Sequence, residues 1–157
     1  MAFVVKKHII KTVTFILLIT FGILDSQELK TYLFQNLPEK LEKPTLIYMK
    51  TSWCTVCKIQ MYQIEKNSEL KKLLNEKVHF IIFDTEKSKE KIEFFGKTYQ
   101  YISNGNSGIN ALAMELSSNK KPLYPTWILI GNNSQVLFYQ EGLVENKILK
   151  LLMEKLD

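Results

Sequence analysis

Two hydrophobic rhythms run along this chain. Thr45 to Met49, Val78 to Phe83 and Trp127 to Ile130 are continuous apolar runs, rich in β-branched residues and bounded by turn formers, the pattern of buried strands. Between and after them the apolar residues recur at helical spacing. Cys57, Met61 and Ile64 form an inward stripe within Cys54 to Lys66. Leu70, Leu73 and Leu74 follow a Ser68 cap, residues 109, 112, 113 and 116 mark Ile109 to Leu116, and Ile148, Leu149, Leu152 and Leu156 mark Val144 to Leu156. Gln27 to Leu37, with Leu29, Tyr32, Leu33 and Leu37, reads as a further helix entered from a Ser26 cap and interrupted by Pro38. Gly131 to Ser134 predicts a hairpin turn leading into a partner strand over Gln135 to Tyr139. The order β-α-β-α-β-β-α predicts an α/β fold: a mixed sheet with helices on both faces.

Residues 85–121 follow neither rhythm cleanly. Glu86 to Lys91 is a charge-rich face or loop, and Phe94 to Ile102 a short aromatic excursion. Asn104 to Gly108 is a turn cluster ahead of the Ile109 helix. Phe94, Phe95, Tyr99 and Tyr101 are expected to pack this excursion.

The N-terminal stretch has a different character. Lys6, Lys7, His8 and Lys11 precede a thirteen-residue apolar run, Thr12 to Leu24. That run suits a secretory h-region and falls short of the roughly 20 residues of a membrane span. Residues 1–26 are therefore expected to be a signal peptide or an N-terminal membrane anchor, and residues 27–157 a single domain. No cysteine follows the run, so no lipid attachment site is expected. Export implies an oxidising compartment.

Composition narrows the function. The chain has 157 residues, 46% of them hydrophobic and 24% charged, which is enough for one domain with a proper core. Its net charge is +5, falling to +3 over residues 27–157, and every basic residue is lysine apart from the two histidines. Base and phosphate readout leans on the arginine fork, so nucleic acid is not an expected partner. The dispersed lysines read as a solvated surface.

The chemistry gathers in Trp53-Cys54-Thr55-Val56-Cys57-Lys58, where the first strand hands over to a helix. Cys54 falls at the helix N-terminus, where free backbone N–H groups and the helix dipole favour a thiolate. Lowering a thiol pKa from about 8.5 to about 7 raises the thiolate fraction at pH 7 from roughly 3% to about half. Cys57 lies one turn on, facing inward and within reach of a disulfide with Cys54. These are the only cysteines, and His8 lies in the leader, so a four-ligand zinc site within one chain is not expected. As a staple the pair is weak: closing so small a ring contributes only about 2 kcal/mol, against more than about 4 for a long loop. The spacing thus favours redox chemistry over stapling, with metal capture and a relic disulfide as the alternatives.

WCTVCK after an apolar strand, Tyr124-Pro125-Thr126 opening a hairpin, and Gly142 before the last helix resemble the thioredoxin superfamily. GKTY, the Asn-Gly turn, INALAMEL and YPTWILI are similar to its secreted bacterial thioredoxin-like domains. The resemblance covers roughly residues 40–157. It implies a three-layer α/β/α sandwich around a central mixed sheet. It further implies Cys54 as the exposed attacking thiol, Cys57 as the resolving thiol, and Pro125 as a cis proline facing the pair. Tyr124 would offer backbone hydrogen bonds to a substrate strand, and Trp53 would flank the site. Many thioredoxins carry a buried aspartate six residues before the first cysteine, where it helps to deprotonate the resolving thiol; Tyr48 stands there, so that aid is missing.

The expected activity is thiol–disulfide exchange on other exported proteins, in the periplasm or on a membrane anchor facing it. It needs no cofactor, involves a monomer, and draws electrons from a membrane-bound redox partner. Two other readings stand beside it: a Cu(I) metallochaperone using the two thiolates and a methionine such as Met49 or Met61, and a non-catalytic binding module. Lys58 is expected to be solvated and His79 to be a half-buried structural residue.

Overall fold

The computed structural model describes residues 27–38, 40–118 and 120–156. The leader expected over residues 1–26, with its Ser26 cap, lies outside them. In chain order the elements are β1 (Thr45–Lys50), α1 (Thr55–Glu65), α2 (Ser68–Lys77) and β2 (His79–Asp84). There follow two small hairpins, β3 (Ile92–Phe94) with β4 (Lys97–Tyr99) and β5 (Tyr101–Asn104) with β6 (Ser107–Asn110). The chain closes with α3 (Ala111–Leu116), β7 (Thr126–Ile130), β8 (Val136–Glu141) and α4 (Asn146–Glu154).

The central sheet has the order β2-β1-β7-β8. β1 runs parallel to β2 and antiparallel to β7, and β7 runs antiparallel to β8. Because strand side chains alternate, each strand feeds two cores. Leu46, Tyr48, Phe80, Trp127 and Leu129 point to one face, where α1, α2 and α4 cover them with Ile64, Leu70, Leu74, Leu149 and Met153. Ile47, Met49, Ile81, Phe83, Ile128 and Ile130 point to the other, covered by α3, β3 and a 3-10 turn at Phe34–Asn36. β1, β2 and β7 are thus enclosed on both sides, as their uninterrupted apolar runs require, while the edge strand β8 stays largely exposed. Among the described residues the layers are unequal: three α-helices share one face, and only α3 lies on the other.

Several boundaries differ from those read in the sequence, each for a local reason. Residues 27–37 are not a helix. This stretch is extended and forms a parallel bridge, Tyr32 to Ile81, at the outer edge of β2, and ends in the 3-10 turn. The Tyr32 N–H donates to Phe80 O at 2.8 Å, while Asn75 accepts from the Lys30 N–H and donates to Glu28 O. An open sheet edge offered backbone partners that helical spacing alone could not match. α2 is capped by Asn67, whose side chain accepts from the Leu70 N–H, and Ser68 is its first residue. α3 starts at Ala111 because Asn110 caps it and Ile109 belongs to β6. α4 starts at Asn146 because both backbone groups of Val144 are held by the buried Gln60 side chain. The aromatic excursion proves to be the β3–β4 hairpin, turned by Phe95 (φ 47°) and Gly96 (φ 72°), followed by β5–β6. Two successive positive φ values are what a two-residue hairpin turn needs.

Candidate active site

β1 ends at Lys50, and the chain turns through Thr51 to Trp53 into α1. Cys54 is the N-cap of that helix. Its sulfur accepts from the Cys57 N–H at 3.1 Å, so one of the free donors of the first turn is directed at sulfur. Cys54 and Cys57 form a disulfide, with an S–S distance of 2.02 Å and Cα atoms 5.3 Å apart. Cys57 is 1% exposed and Cys54 5%. The expectation of an exposed Cys54 is therefore corrected for this state: the disulfide draws its sulfur in against Cys57. The next residues out are open, Trp53 at 66% and Val56 at 43%. Lys58 is exposed on the outside of α1.

Tyr48 lies beneath the pair. It is wholly buried, and its hydroxyl donates to Cys57 O at 2.9 Å. Burial pushes its phenol well above the usual tyrosine range, so it stays protonated and acts as a donor. Of the methionines weighed as copper ligands, Met61 packs in the core that contains the cysteines, whereas Met49 lies in the core on the opposite face. His79 starts β2, at the end of the sheet away from the cysteines. It is buried, its ring meets the Tyr32 ring edge-on at 4.9 Å, and burial foremost lowers its pKa. Its ring nitrogens have no hydrogen-bond partner among the described residues.

The Tyr124–Pro125 bond is cis. Met49 pairs with Thr126 across β1 and β7, so Pro125 enters β7 beside the end of β1 from which the cysteine loop departs. Pro125 O accepts from the Gly142 N–H at 2.7 Å, and the φ of 86° at Gly142 suits a residue without a side chain. Tyr124 packs against the core that holds both cysteines, and its ring meets Trp53 edge-on at 6.1 Å. The five residues singled out from the sequence, Trp53, Cys54, Cys57, Tyr124 and Pro125, therefore come together at one end of the sheet.

Other residues here escaped the sequence reading. Thr85 is fully buried, and its hydroxyl is 2.6 Å from the Tyr124 hydroxyl. Glu86 accepts from the Trp53 indole N–H at 3.0 Å. Asp84 accepts from Ser52 at 2.8 Å and from Lys50 at 3.1 Å. Burial raises the Asp84 pKa, but the Ser52 and Lys50 hydrogen bonds and the Lys50 charge outweigh it and hold the carboxyl below its ordinary value. The signal for all three was the parallel pairing: once β1 and β2 lie side by side, residues just past their C-terminal ends share one edge, where sites in such sheets gather.

No protein-family model and no curated protein matches the chain. Solved structures do. A thioredoxin-fold protein from Helicobacter pylori aligns with a TM-score of 0.50 at 14% identity, over 85% of this chain and 81% of that one. Thioredoxin-2 from the malaria parasite aligns at 0.49 and 20% identity, over 72% and 82%. The exposed lipoprotein thioredoxin of Streptococcus pneumoniae aligns at 0.48 and 14%, over 81% and 93%. Sheet order, crossover and the likeness to the Helicobacter protein agree: this chain has the thioredoxin fold.

Proposed function

We propose that this protein is a thiol–disulfide oxidoreductase that acts on disulfides of other exported proteins, in the periplasm or on an anchor facing it. One observation carries the reading: two cysteines in disulfide contact at the N-terminus of α1, at the same end of the sheet as a cis Tyr124–Pro125 bond.

In the reducing direction the Cys54 thiolate attacks one sulfur of a substrate disulfide. The substrate S–S bond breaks, one substrate sulfur leaves as a thiolate, and a Cys54–substrate disulfide remains. Cys57, deprotonated, then attacks Cys54 Sγ and expels the second substrate thiolate. Two electrons have passed to the substrate, and the Cys54–Cys57 disulfide is restored. Each leaving thiolate takes its proton from solvent. The same steps in reverse oxidise a dithiol. The Cys57 N–H aimed at Cys54 Sγ and the helix N-terminus favour the thiolate over the thiol at Cys54. Trp53, Tyr124 and Pro125 bind the substrate segment, with backbone groups of Tyr124 pairing with it as an added strand. A monomer suffices, and a membrane-bound redox partner supplies electrons in an oxidising compartment.

A redox titration tests the chemistry: the midpoint should fall within the range of known exchange proteins, about −270 to −120 mV. Trapping tests the order of the thiols. Cys57→Ala should accumulate mixed disulfides with exported proteins, and Cys54→Ala should accumulate none and lose exchange activity. Equal trapping by Cys57→Ala and by the Cys54→Ala/Cys57→Ala double variant would overturn the proposal.

A further inference from the structure

We infer that Thr85 and Glu86, in the turn after β2, are positioning residues that hold the two aromatic walls of the substrate groove, Trp53 and Tyr124, in their working orientation. This deepens the exchange reaction proposed above and rests on it.

Trp53 has little else to fix it, whereas Tyr124 also packs against both cores. Trp53 is 66% exposed, and a bare indole on a loop would be free to rotate about its side-chain bonds. Its N–H is instead tied to the half-buried Glu86 carboxylate at 3.0 Å. With the indole so held, its ring stands at 86° to the Tyr124 ring, centroids 6.1 Å apart, which is a favourable edge-to-face arrangement. Tyr124 is held in turn by the 2.6 Å contact between its hydroxyl and that of Thr85. One wall is thus fixed by each of two consecutive residues.

Those two residues are themselves built in. The Thr85 N–H donates to Lys50 O at 3.1 Å, at the start of the cysteine loop. Thr85 O accepts from the Asn110 N–H at 2.9 Å, and the buried Asn110 amide donates to Ser88 O and Glu90 O, each at 3.1 Å. The long insertion between β2 and β7 therefore reaches the groove through Asn110 and Thr85. Its job is to anchor the turn that carries Glu86, and neither Thr85 nor Glu86 takes part in bond making.

Steady-state kinetics of full-length protein test this, with a protein disulfide as substrate and a dithiol as reductant. Glu86→Ala should raise KM about 3- to 10-fold, the loss expected when one ordinary, partly exposed hydrogen bond goes, and change kcat less than about twofold. Attack of reduced Cys54 on a small aromatic disulfide, which needs no groove, should keep its wild-type rate. Glu86→Gln retains an acceptor oxygen and should restore KM to within about twofold of wild type. Because Glu86 is only half-buried, these variants should fold; Thr85→Val, with Thr85→Ser as its rescue, repeats the test at the other wall. An unchanged KM in Glu86→Ala beside an active wild type would overturn this inference alone. A wild type inert toward both protein and small disulfides would overturn the exchange reading, and this inference with it.

Discussion

Tyr48 occupies the position beneath the cysteine pair where many thioredoxins keep a carboxylate. Burial raises its pKa, so it stays protonated and serves as a donor, not as a base for Cys57; it fixes the first turn of α1 by donating to the Cys57 carbonyl. A carboxylate held below its ordinary pKa at this end of the sheet is Asp84, two residues further along the parallel pair, bound to Lys50 and Ser52. Its lowered pKa means that the unfolded chain binds its proton more readily than the folded one. The stability it contributes is complete above the ordinary carboxylate pKa, about 3.9, and fades as pH falls through the lower folded value. His79 behaves alike in a separate window. Its folded pKa is also depressed, so its contribution is complete above about 6.5 and drains away as pH falls below that. Melting temperature followed against pH should show two acid limbs. Asp84→Asn should remove the one below about pH 4, and His79→Phe the one below about pH 6.5; a profile unchanged by either substitution would contradict these assignments.

Between elements, some links are single polar contacts. Gln60 lies on the buried side of α1, where sequence periodicity marked Cys57, Met61 and Ile64 and passed over a glutamine. Its amide donates to Val144 O at 2.9 Å and accepts from the Val144 N–H at 2.8 Å, so the helix bearing the cysteines is laced to the segment entering α4. The same segment holds Gly142, whose N–H reaches Pro125 O. The polar residue is wholly buried because each of its functions has a partner. Gln60→Ala would strand two backbone groups and open a cavity. We expect a loss of about 2–4 kcal/mol in urea unfolding, more than removing a single surface contact would give. A loss below about 1 kcal/mol would mean that water satisfies Val144 and that the lacing is weak. Such a pair is invisible in one dimension: 84 positions separate its members, and nothing local to a glutamine on an apolar stripe names its partner.

Across the molecule, what could be read in the sequence was what local rules govern. The strands β1, β2 and β7 declared themselves because burial on both faces demands unbroken apolar runs, and the cysteine pair because its spacing matches one helical turn. The N-terminal segment misled because Leu29, Tyr32, Leu33 and Leu37 satisfy a helical period, while its fate was decided by a free edge 49 residues away at Ile81. Glu86 reads in sequence as part of a charge-rich face or loop, and nothing local marks Thr85, until the fold sets Trp53 and Tyr124 beside them. The consequence for stability is clearest at Phe34, which is buried where three distant stretches meet. Its ring stands edge-on to Phe83 of β2 and to Phe94 of the β3–β4 hairpin, each with centroids 5.2 Å away. Phe34→Ala should cost about 3–5 kcal/mol, in the range of buried aromatic truncations. If the three rings act as one joint, Phe34→Ala and Phe94→Ala combined should cost about 0.5–1.5 kcal/mol less than their separate effects added together, the coupling of one aromatic pair. Strictly additive losses in the same denaturant series would mean that the N-terminal segment and the hairpin cover this face of the sheet independently.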